Sequence, residues 1–271
     1  MDLSIRVKAF DEQGVTVIPP TSADFDELAG PLIGRVADIG LKLKPMLMIV
    51  SNESPQTVVA YSKTWTARYS GGRTSVIRSH TSFPETVCGD ILISNDPEAL
   101  PPGARRVETA RLVIQGYAQS EPYYDQFLDQ FIVEKDQMLK NAEELRIEVD
   151  TVIFADGRLI GNDRDGWLSD LFSEYVAQKQ AWYREILNRL AAGAAVEDAY
   201  APIREFQEQR HVRMRSGRPL DPADLQLWKT QAAGDAQRWR RKFTDAELPH
   251  LLRSSIRLEP FVIRRDHDGG D

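Results

Sequence analysis

Hydrophobic and polar residues alternate along residues 57–69, TVVAYSKTWTARY. In a period-2 register, one side of this segment carries Val59, Tyr61, Trp65, Ala67 and Tyr69. This pattern is typical of a half-buried antiparallel strand, here with the Trp65 indole directed into the core. The Ser-Gly-Gly sequence at 70–72 predicts a hairpin turn, and residues 74–80 predict the returning strand.

Shorter strand patterns lie on both sides of this hairpin. They predict strands at residues 3–9, 15–18, 43–51, 91–93, 105–115, 144–154 and 159–160. Asp156-Gly157 separates the last two strands as a second hairpin turn, because both residues tolerate a positive φ. A set of about seven or eight strands with a buried tryptophan is typical of a β-sandwich.

The hydrophobic period changes to that of a helix in two parts of the chain. Residues 120–141 carry apolar side chains three, four or seven positions apart, which predicts an amphipathic helix inserted among the strands. After Asn162, helices are predicted at 167–190, at 196–210 and from Asp221 onward, with Thr244 and Glu247 capping a short last helix. Residues 256–263 predict a final strand or an extended arm.

These elements predict an α+β protein. We expect an N-terminal antiparallel immunoglobulin-like β-sandwich at residues 1–161, with a helical insertion at about 120–142. A helical region at 162–265 and a flexible tail at 266–271 would follow. The wide apolar stripe of the 167–190 helix must be covered, because a patch of this size is rarely left in contact with water. We expect the C-terminal helices of the same chain to cover it, with any remaining apolar surface forming a partner or homodimer interface.

The amino-acid composition indicates an ordinary globular protein but does not indicate a function. The chain has 271 residues, of which 42% are hydrophobic and 28% are charged, as in ordinary globular proteins. No apolar run approaches the roughly 18 residues that span a bilayer. The N-terminus lacks the apolar core of a signal peptide, so a cytoplasmic location is expected as the sequence stands, and an extracytoplasmic one if a signal peptide was removed. The single cysteine, Cys88, excludes an intrachain disulfide and is expected to be a small buried apolar residue.

The familiar spacings of catalytic and metal sites are missing. Asn162, Asp163, Asp165 and Gly166 resemble a calcium loop, but position twelve from Gly161 is Phe172 where a glutamate is required. We therefore expect a polar turn that caps the following helix. No histidine has a Cys or His neighbour at zinc-ligand spacing, and no nucleophile elbow or phosphate loop occurs. No catalytic residue, cofactor or metal is predicted.

One dense basic cluster stands out in a chain with a net charge of −7. It consists of Arg238, Trp239, Arg240, Arg241 and Lys242. Arginines around an aromatic residue can hold phosphates and stack on bases. The alternative interpretation is an ordinary helix that buries Trp239 and Phe243 and carries its cations on the solvent-exposed face. The alternative is favoured because charge runs on helices are usually solvated faces.

Residues 48–54, MIVSNES, followed by Val58-Val59-Ala60-Tyr61 and Trp65, carry a resemblance to a known group. Over about residues 41–175 the chain resembles uncharacterised bacterial immunoglobulin-like β-sandwich proteins. The resemblance implies a fold and an extracytoplasmic location. It implies no activity and no catalytic residues.

The sequence predicts a non-catalytic binding or protein-interaction module of unknown ligand. The reasons are the missing catalytic spacings and a scaffold that commonly binds through its loops and edges. Two alternatives stay open: an enzyme with an unrecognised carboxylate site, and nucleic-acid contact through residues 238–242. An unknown protein partner at the helical region is expected, and nucleic acid is not the expected partner of the acidic whole.

Overall fold

The structure, a computed structural model, describes residues 3–33, 42–83, 87, 99–110, 122–215, 227–256 and 261–265. These residues form a mixed α+β protein, as predicted, with nine strands and seven helices. The strands are β1 (Ser4–Lys8), β2 (Val15–Ile18), β3 (Met48–Asn52), β4 (Val58–Tyr69), β5 (Thr74–Ser82), β6 (Arg105–Glu108), β7 (Ala142–Phe154), β8 (Arg158–Gly161) and β9 (Arg264–Arg265). The helices are α1 (Phe25–Ile33), α2 (Pro122–Leu139), α3 (Trp167–Ala191), α4 (Val196–Ala199), α5 (Ala201–Arg215), α6 (Leu227–Lys242) and α7 (Leu248–Ser254).

The chain divides into two compact units. The first comprises Met1–Ser82, Asn95–Leu168 and Arg264–Asp271. The second comprises Phe83–Ser94 and Ser169–Ile263. The first unit therefore contains every described strand, and the second contains most of α3 and the helices that follow it.

The first unit is organised around a six-stranded sheet with the order β5-β4-β7-β8-β9. Strand β1 also pairs with β7, alongside residues 144–148. The β1–β7 and β8–β9 pairings are parallel, which differs from the antiparallel sheet that the sequence predicts. Alternation along a strand determines which face is buried, but it carries no information on the direction of the neighbouring strand.

A separate three-stranded antiparallel sheet has the order β2-β3-β6. Neither sheet closes on itself, and the immunoglobulin-like sandwich is not confirmed. Strand β3 begins at Met48, later than predicted, because a 3-10 turn with Pro45 near its start occupies residues 44–46. Strand β6 ends at Glu108. The predicted strand at 91–93, the end of the 105–115 strand and Cys88 lie outside the described residues.

The hairpin around Trp65 is confirmed. Strands β4 and β5 pair without interruption from Ala60–Ser82 to Arg68–Thr74, and Trp65 has no exposed surface. The prediction that β4 is half-buried is wrong for its first part, because Val58, Ala60 and Ser62 on its second face are also buried. Both faces of the sheet are therefore covered over this stretch of β4, which lies between β5 and β7.

The helical insertion is confirmed as α2, between β6 and β7. The Tyr69 hydroxyl at the end of β4 donates to the Met138 carbonyl oxygen at 2.6 Å, which joins this helix to the sheet. The described residues of the predicted last strand or extended arm, Ile256, Phe261 and Ile263, lie in no strand, and the short strand β9 follows directly after them.

The prediction that the 167–190 helix packs on its own C-terminal helices is confirmed. Tyr183 and Ile186 of α3 share a buried cluster with residues of α4 to α7 and the turn between α4 and α5. The other buried members are Ala199, Tyr200, Ile203, Ala233, Ala236, Trp239, Leu248 and Leu252. The capping prediction is confirmed too, because Glu247 accepts hydrogen bonds from the Thr244 backbone N–H at 2.9 Å and hydroxyl at 2.7 Å. The residues around Asp221 and the side chain of Trp228 lie outside the described part.

Candidate functional site

The predicted basic cluster lies at the end of α6, in the second unit. Arg238 forms an ion pair with the buried Asp235 one turn earlier. Arg240 pairs with Glu197 at 2.8 Å and with Asp245 at 3.0 Å. Both of these arginines are therefore paired with carboxylates of the same unit. Arg241 and Lys242 are exposed at the helix end.

Trp239 of this cluster points away from solvent. It has no exposed surface, and its indole N–H donates to the Tyr183 hydroxyl at 2.8 Å. Its ring meets the Tyr183 ring edge-on at 6.3 Å and the Phe243 ring at 5.2 Å. A tryptophan in this position packs the helical core and cannot stack on a base. This placement matches the alternative interpretation of the cluster.

Asp235 of α6 is the centre of a cluster of buried polar side chains. Its carboxylate accepts a hydrogen bond from the Tyr175 hydroxyl at 2.6 Å and pairs with Lys179 at 2.7 Å. Burial by itself would raise the pKa of Asp235, but the charges of Lys179 and Arg238 outweigh it and hold the pKa below its ordinary value. The group is thus kept ionised inside the helical unit.

The loop that resembles a calcium site forms a turn, as predicted. Residues 164–166 make one 3-10 turn, and the Asp163 carboxylate accepts the backbone N–H of Leu168 at 2.8 Å. Asp163 thereby satisfies one of the free N–H groups at the start of α3. Among the described residues, no group of three or more His, Cys, Asp and Glu side chains could hold a metal ion.

The first unit contains a buried ionic cluster that the sequence analysis missed. Lys63 of β4 is 3% exposed and forms an ion pair with Glu108 of β6. Glu108 also accepts hydrogen bonds from the Tyr61 hydroxyl and from Arg106 Nε, the latter at 3.0 Å. Thr81 of β5 accepts a hydrogen bond from Lys63 Nζ at 2.7 Å.

The charges of this cluster stabilise one another. Burial by itself would raise the pKa of Glu108, but Lys63 and Arg106 outweigh it and hold the pKa below its usual range. Burial and the neighbouring Glu108 charge raise the pKa of the Tyr61 phenol, so that it stays a hydrogen-bond donor. Because Lys63 and Arg106 lie in different sheets and share one carboxylate, the cluster ties the two sheets together.

An open pocket lies over other residues of the same central strands. It encloses about 270 Å³, and all its lining residues belong to the first unit. Its charged lining residues are Lys8, Glu148, Asp150 and Arg164. Its uncharged polar lining residues are Thr64, Thr66 and Asn162. Apolar surface comes from Phe10, Val76, Val149 and Gly161.

The register of the sheet fixes the relative positions of three of these residues. Glu148 of β7 is paired with Lys8 of β1 on one side and with Thr64 of β4 on the other. Residues paired across neighbouring strands lie on the same face about 5 Å apart. A cation, a carboxylate and a hydroxyl group therefore form one row on the face of the sheet that carries the pocket.

Asp150 follows Glu148 on the same face of β7 and is held in place by hydroxyl groups. Its Oδ1 accepts a hydrogen bond from Ser62, and its Oδ2 accepts one from Thr64 at 2.9 Å. Glu148 in turn forms an ion pair with Arg146 at 2.9 Å. Both carboxylates of the pocket are thus oriented by their neighbours on the sheet.

Gly161 allows the wall of the pocket to close. Its φ is +88°, and a Cβ atom there would overlap the Phe10 ring and the Asp150 carbonyl oxygen. The same carbonyl accepts the backbone N–H of Asn162 at 3.0 Å. Glycine at this position lets the Phe10 ring and the strand backbone approach each other.

Part of this pocket has a signal in the sequence. Ser62, Thr64 and Thr66 form a polar series on one face of β4, and Arg146, Glu148 and Asp150 form one on β7. Polar side chains on one strand face, opposite apolar side chains on the other, are typical of an ordinary solvent-exposed face. They do not by themselves indicate a binding site. Lys63 has a clearer signal, since it occupies an inward position between Tyr61 and Trp65. A charge at a core position indicates a buried partner.

Comparison of the chain with protein-family models, with curated proteins and with solved structures found no match. Within the described residues, no helix is both long and apolar enough to cross a membrane.

Proposed function

We propose that the protein is a non-catalytic binding module and that its ligand site is the pocket on the six-stranded sheet. The observation that carries the proposal is the set of charged and hydroxyl groups converging on this one cavity of about 270 Å³. Cavities that combine apolar walls with a few fixed polar groups are the usual form of small-molecule sites.

The contacts of the carboxylates favour binding over catalysis. Both oxygens of Asp150 accept hydrogen bonds from strand hydroxyls, and Glu148 is paired with Arg146. A general acid needs a carboxyl group that holds a proton near neutral pH. Two buried carboxylates outside the pocket, Glu108 and Asp235, do not meet this condition, because their cationic partners lower their pKa values.

An enzyme is the second candidate. The observation that favours it is that two carboxylates, Glu148 and Asp150, line the same pocket. Paired carboxylates can serve acid–base chemistry. Turnover of a ligand that the pocket binds, lost in Asp150→Asn and Glu148→Gln, would establish this alternative.

The immunoglobulin-like sandwich and the relationship to uncharacterised bacterial sandwich proteins are proposals as well. Their support is the buried Trp65 in a central strand and the contact of Lys63 with Glu108 between the two sheets. Nucleic-acid contact at residues 238–242 has less support, since Trp239 is buried and Arg238 and Arg240 are paired with carboxylates.

The binding proposal is tested by blocking the pocket. Val76 lines it and is 57% exposed, so Val76→Trp fills the mouth without disturbing a core contact. Val133→Trp is the matched control, because Val133 on α2 is 54% exposed and lies outside the pocket. Thermal unfolding is measured with amino acids, short carboxylic acids, short amines and monosaccharides.

We expect one of these classes to raise the melting temperature of the wild type and of Val133→Trp, because a ligand that binds only the folded state stabilises it. The same ligand should leave Val76→Trp unchanged. No stabilisation of the wild type by any class, or equal stabilisation of Val76→Trp, would show that the pocket is not the ligand site.

A further inference from the structure

We infer that the ligand of this pocket is a small zwitterion, a molecule with one ammonium and one carboxylate group. The inference rests on the proposed function and specifies its ligand class. It follows from the balance, the depth and the spacing of the charges that line the pocket.

The charges are balanced in number. Among the lining residues, Lys8 and Arg164 are the two cations, and Glu148 and Asp150 are the two carboxylates. Because Glu148 is already paired with Arg146, Asp150 is the main acceptor for a ligand cation. A dianionic ligand would face both carboxylates, and a dication would face both basic side chains. Only a ligand that carries both signs can pair with each set, and like-charge contacts reject the others.

The two sets differ in depth. The side chain of Glu148 is 18% exposed and Asp150 is partly buried, whereas Lys8 and Arg164 are exposed residues. The carboxylates therefore belong to the floor and the cations to the rim. A ligand would place its ammonium group at the floor and its carboxylate near the solvent.

The floor has acceptors left for an ammonium group. A carboxylate offers about four acceptor positions. Ser62 and Thr64 occupy two of those on Asp150, one on each oxygen. Asp150 lines the pocket and its carboxylate is already oriented, so binding a ligand cation there loses little side-chain freedom.

The volume limits the size of the ligand. The pocket volume of about 270 Å³ lies just below the roughly 300–1,000 Å³ of typical small-molecule sites. A ligand of the size of an amino acid matches this volume. Short ω-amino acids match this arrangement, because the cation Lys8 lies one strand away from Glu148.

The experiment compares molecules of one shape that differ in charge. Isothermal titration calorimetry is carried out on the full chain with 4-aminobutyrate, butyrate and butylamine. Glycine and 5-aminopentanoate are added to vary the distance between the two charges. We expect at least one of the three zwitterions to bind, and each single-charge analogue to bind at least about tenfold more weakly.

Reversing one charge provides the specific variant. Lys8→Glu removes a rim cation and should weaken zwitterion binding about tenfold while making butylamine the better ligand. Lys140→Glu is the matched control, because Lys140 is exposed and does not line the pocket. Circular dichroism shows whether both variants are folded. A structural role of Lys8 would not produce a preference for amines.

The outcomes separate this inference from the proposed function. Butyrate or butylamine binding the wild type as tightly as the zwitterions, or an unchanged preference in Lys8→Glu, would overturn the ligand class. Binding of a monosaccharide alone, abolished by Val76→Trp, would also overturn the class and leave the pocket as the site. If Val76→Trp weakens the binding of no ligand, the pocket is not the ligand site.

Discussion

At Glu108, a single carboxylate compensates two buried cations, so its loss and the loss of one cation have unequal effects. Glu108→Gln leaves Lys63 and Arg106 without their counter-ion, and should lower the free energy of unfolding by about 3–5 kcal/mol. Lys63→Met keeps the Arg106–Glu108 pair and should cost less, about 1–3 kcal/mol. Urea unfolding followed by circular dichroism measures both. Equal losses would show that the cluster is not coupled through Glu108.

The same carboxylate makes the protein sensitive to acid. The folded pKa of Glu108 lies below its ordinary value, so the unfolded chain binds more protons as the pH falls. The stabilisation from this group is present above the ordinary carboxyl pKa of about 4.3 and is lost as the pH falls through the lower folded value. The difference in unfolding free energy between wild type and Glu108→Gln should therefore shrink between neutral pH and about pH 3. A constant difference over this range would contradict the shifted pKa.

Alanine substitutions at Gly161 and Gly72 distinguish the cost of backbone strain from the cost of steric overlap. Both have a positive φ, +88° and +81°, but a Cβ atom at Gly72 meets nothing within 4 Å, whereas one at Gly161 overlaps Phe10 and Asp150. Gly72→Ala should cost about 1 kcal/mol from φ alone. Gly161→Ala should cost about 1–3 kcal/mol more and should reduce ligand binding in the pocket. Thermal unfolding and titration of both variants measure this, and identical behaviour would remove the role of Gly161 in the wall.

At the scale of elements, the strongest sequence periods predicted the structure best. The alternation around Trp65 and the apolar stripe after Trp167 lie in long elements, β4 and α3. In such elements the characteristic spacing of apolar residues recurs several times. The parallel pairing of β1 with β7 joins Ser4 to Glu144 and has no local signal. The pocket depends on that pairing, because Lys8 reaches Glu148 only through it. The site could therefore not be assembled from the sequence, although several of its polar residues share a recognisable strand face.

The stability of the start of α7 depends on the hydroxyl group of one residue, Thr244. Thr244 donates to Glu247 from both its hydroxyl and its backbone N–H, and the Leu248 N–H bonds to the Thr244 carbonyl at 3.1 Å. Thr244→Ala should lower the free energy of unfolding by about 1 kcal/mol, because it removes the hydroxyl group that holds the Glu247 carboxylate beside the Thr244 backbone N–H. Thr244→Ser keeps the hydroxyl and is the control. Urea unfolding that shows no difference between the two variants would mean that the cap contributes nothing.

At the scale of the whole molecule, the chain leaves the first unit after Leu168 and returns to it at Arg264. Strand β9, directly after the second unit, pairs with β8 of the six-stranded sheet. The helices between these points bury their apolar residues among themselves, with Tyr183 and Trp239 at the centre. The second unit therefore has its own core, built from residues on both sides of position 200.

Deletion of residues 200–271 tests whether α3 depends on that core. It removes Tyr200, Ile203, Trp239, Leu248 and Leu252, which cover Tyr183 and Ile186. The apolar face of α3 would then contact water, and exposed patches of this kind drive association. We expect the shortened chain to aggregate in size-exclusion chromatography, while deletion of residues 266–271 alone, which removes none of the described residues, leaves the elution unchanged. A monomeric and fully folded 1–199 chain would show that the C-terminal helices are not needed to cover α3.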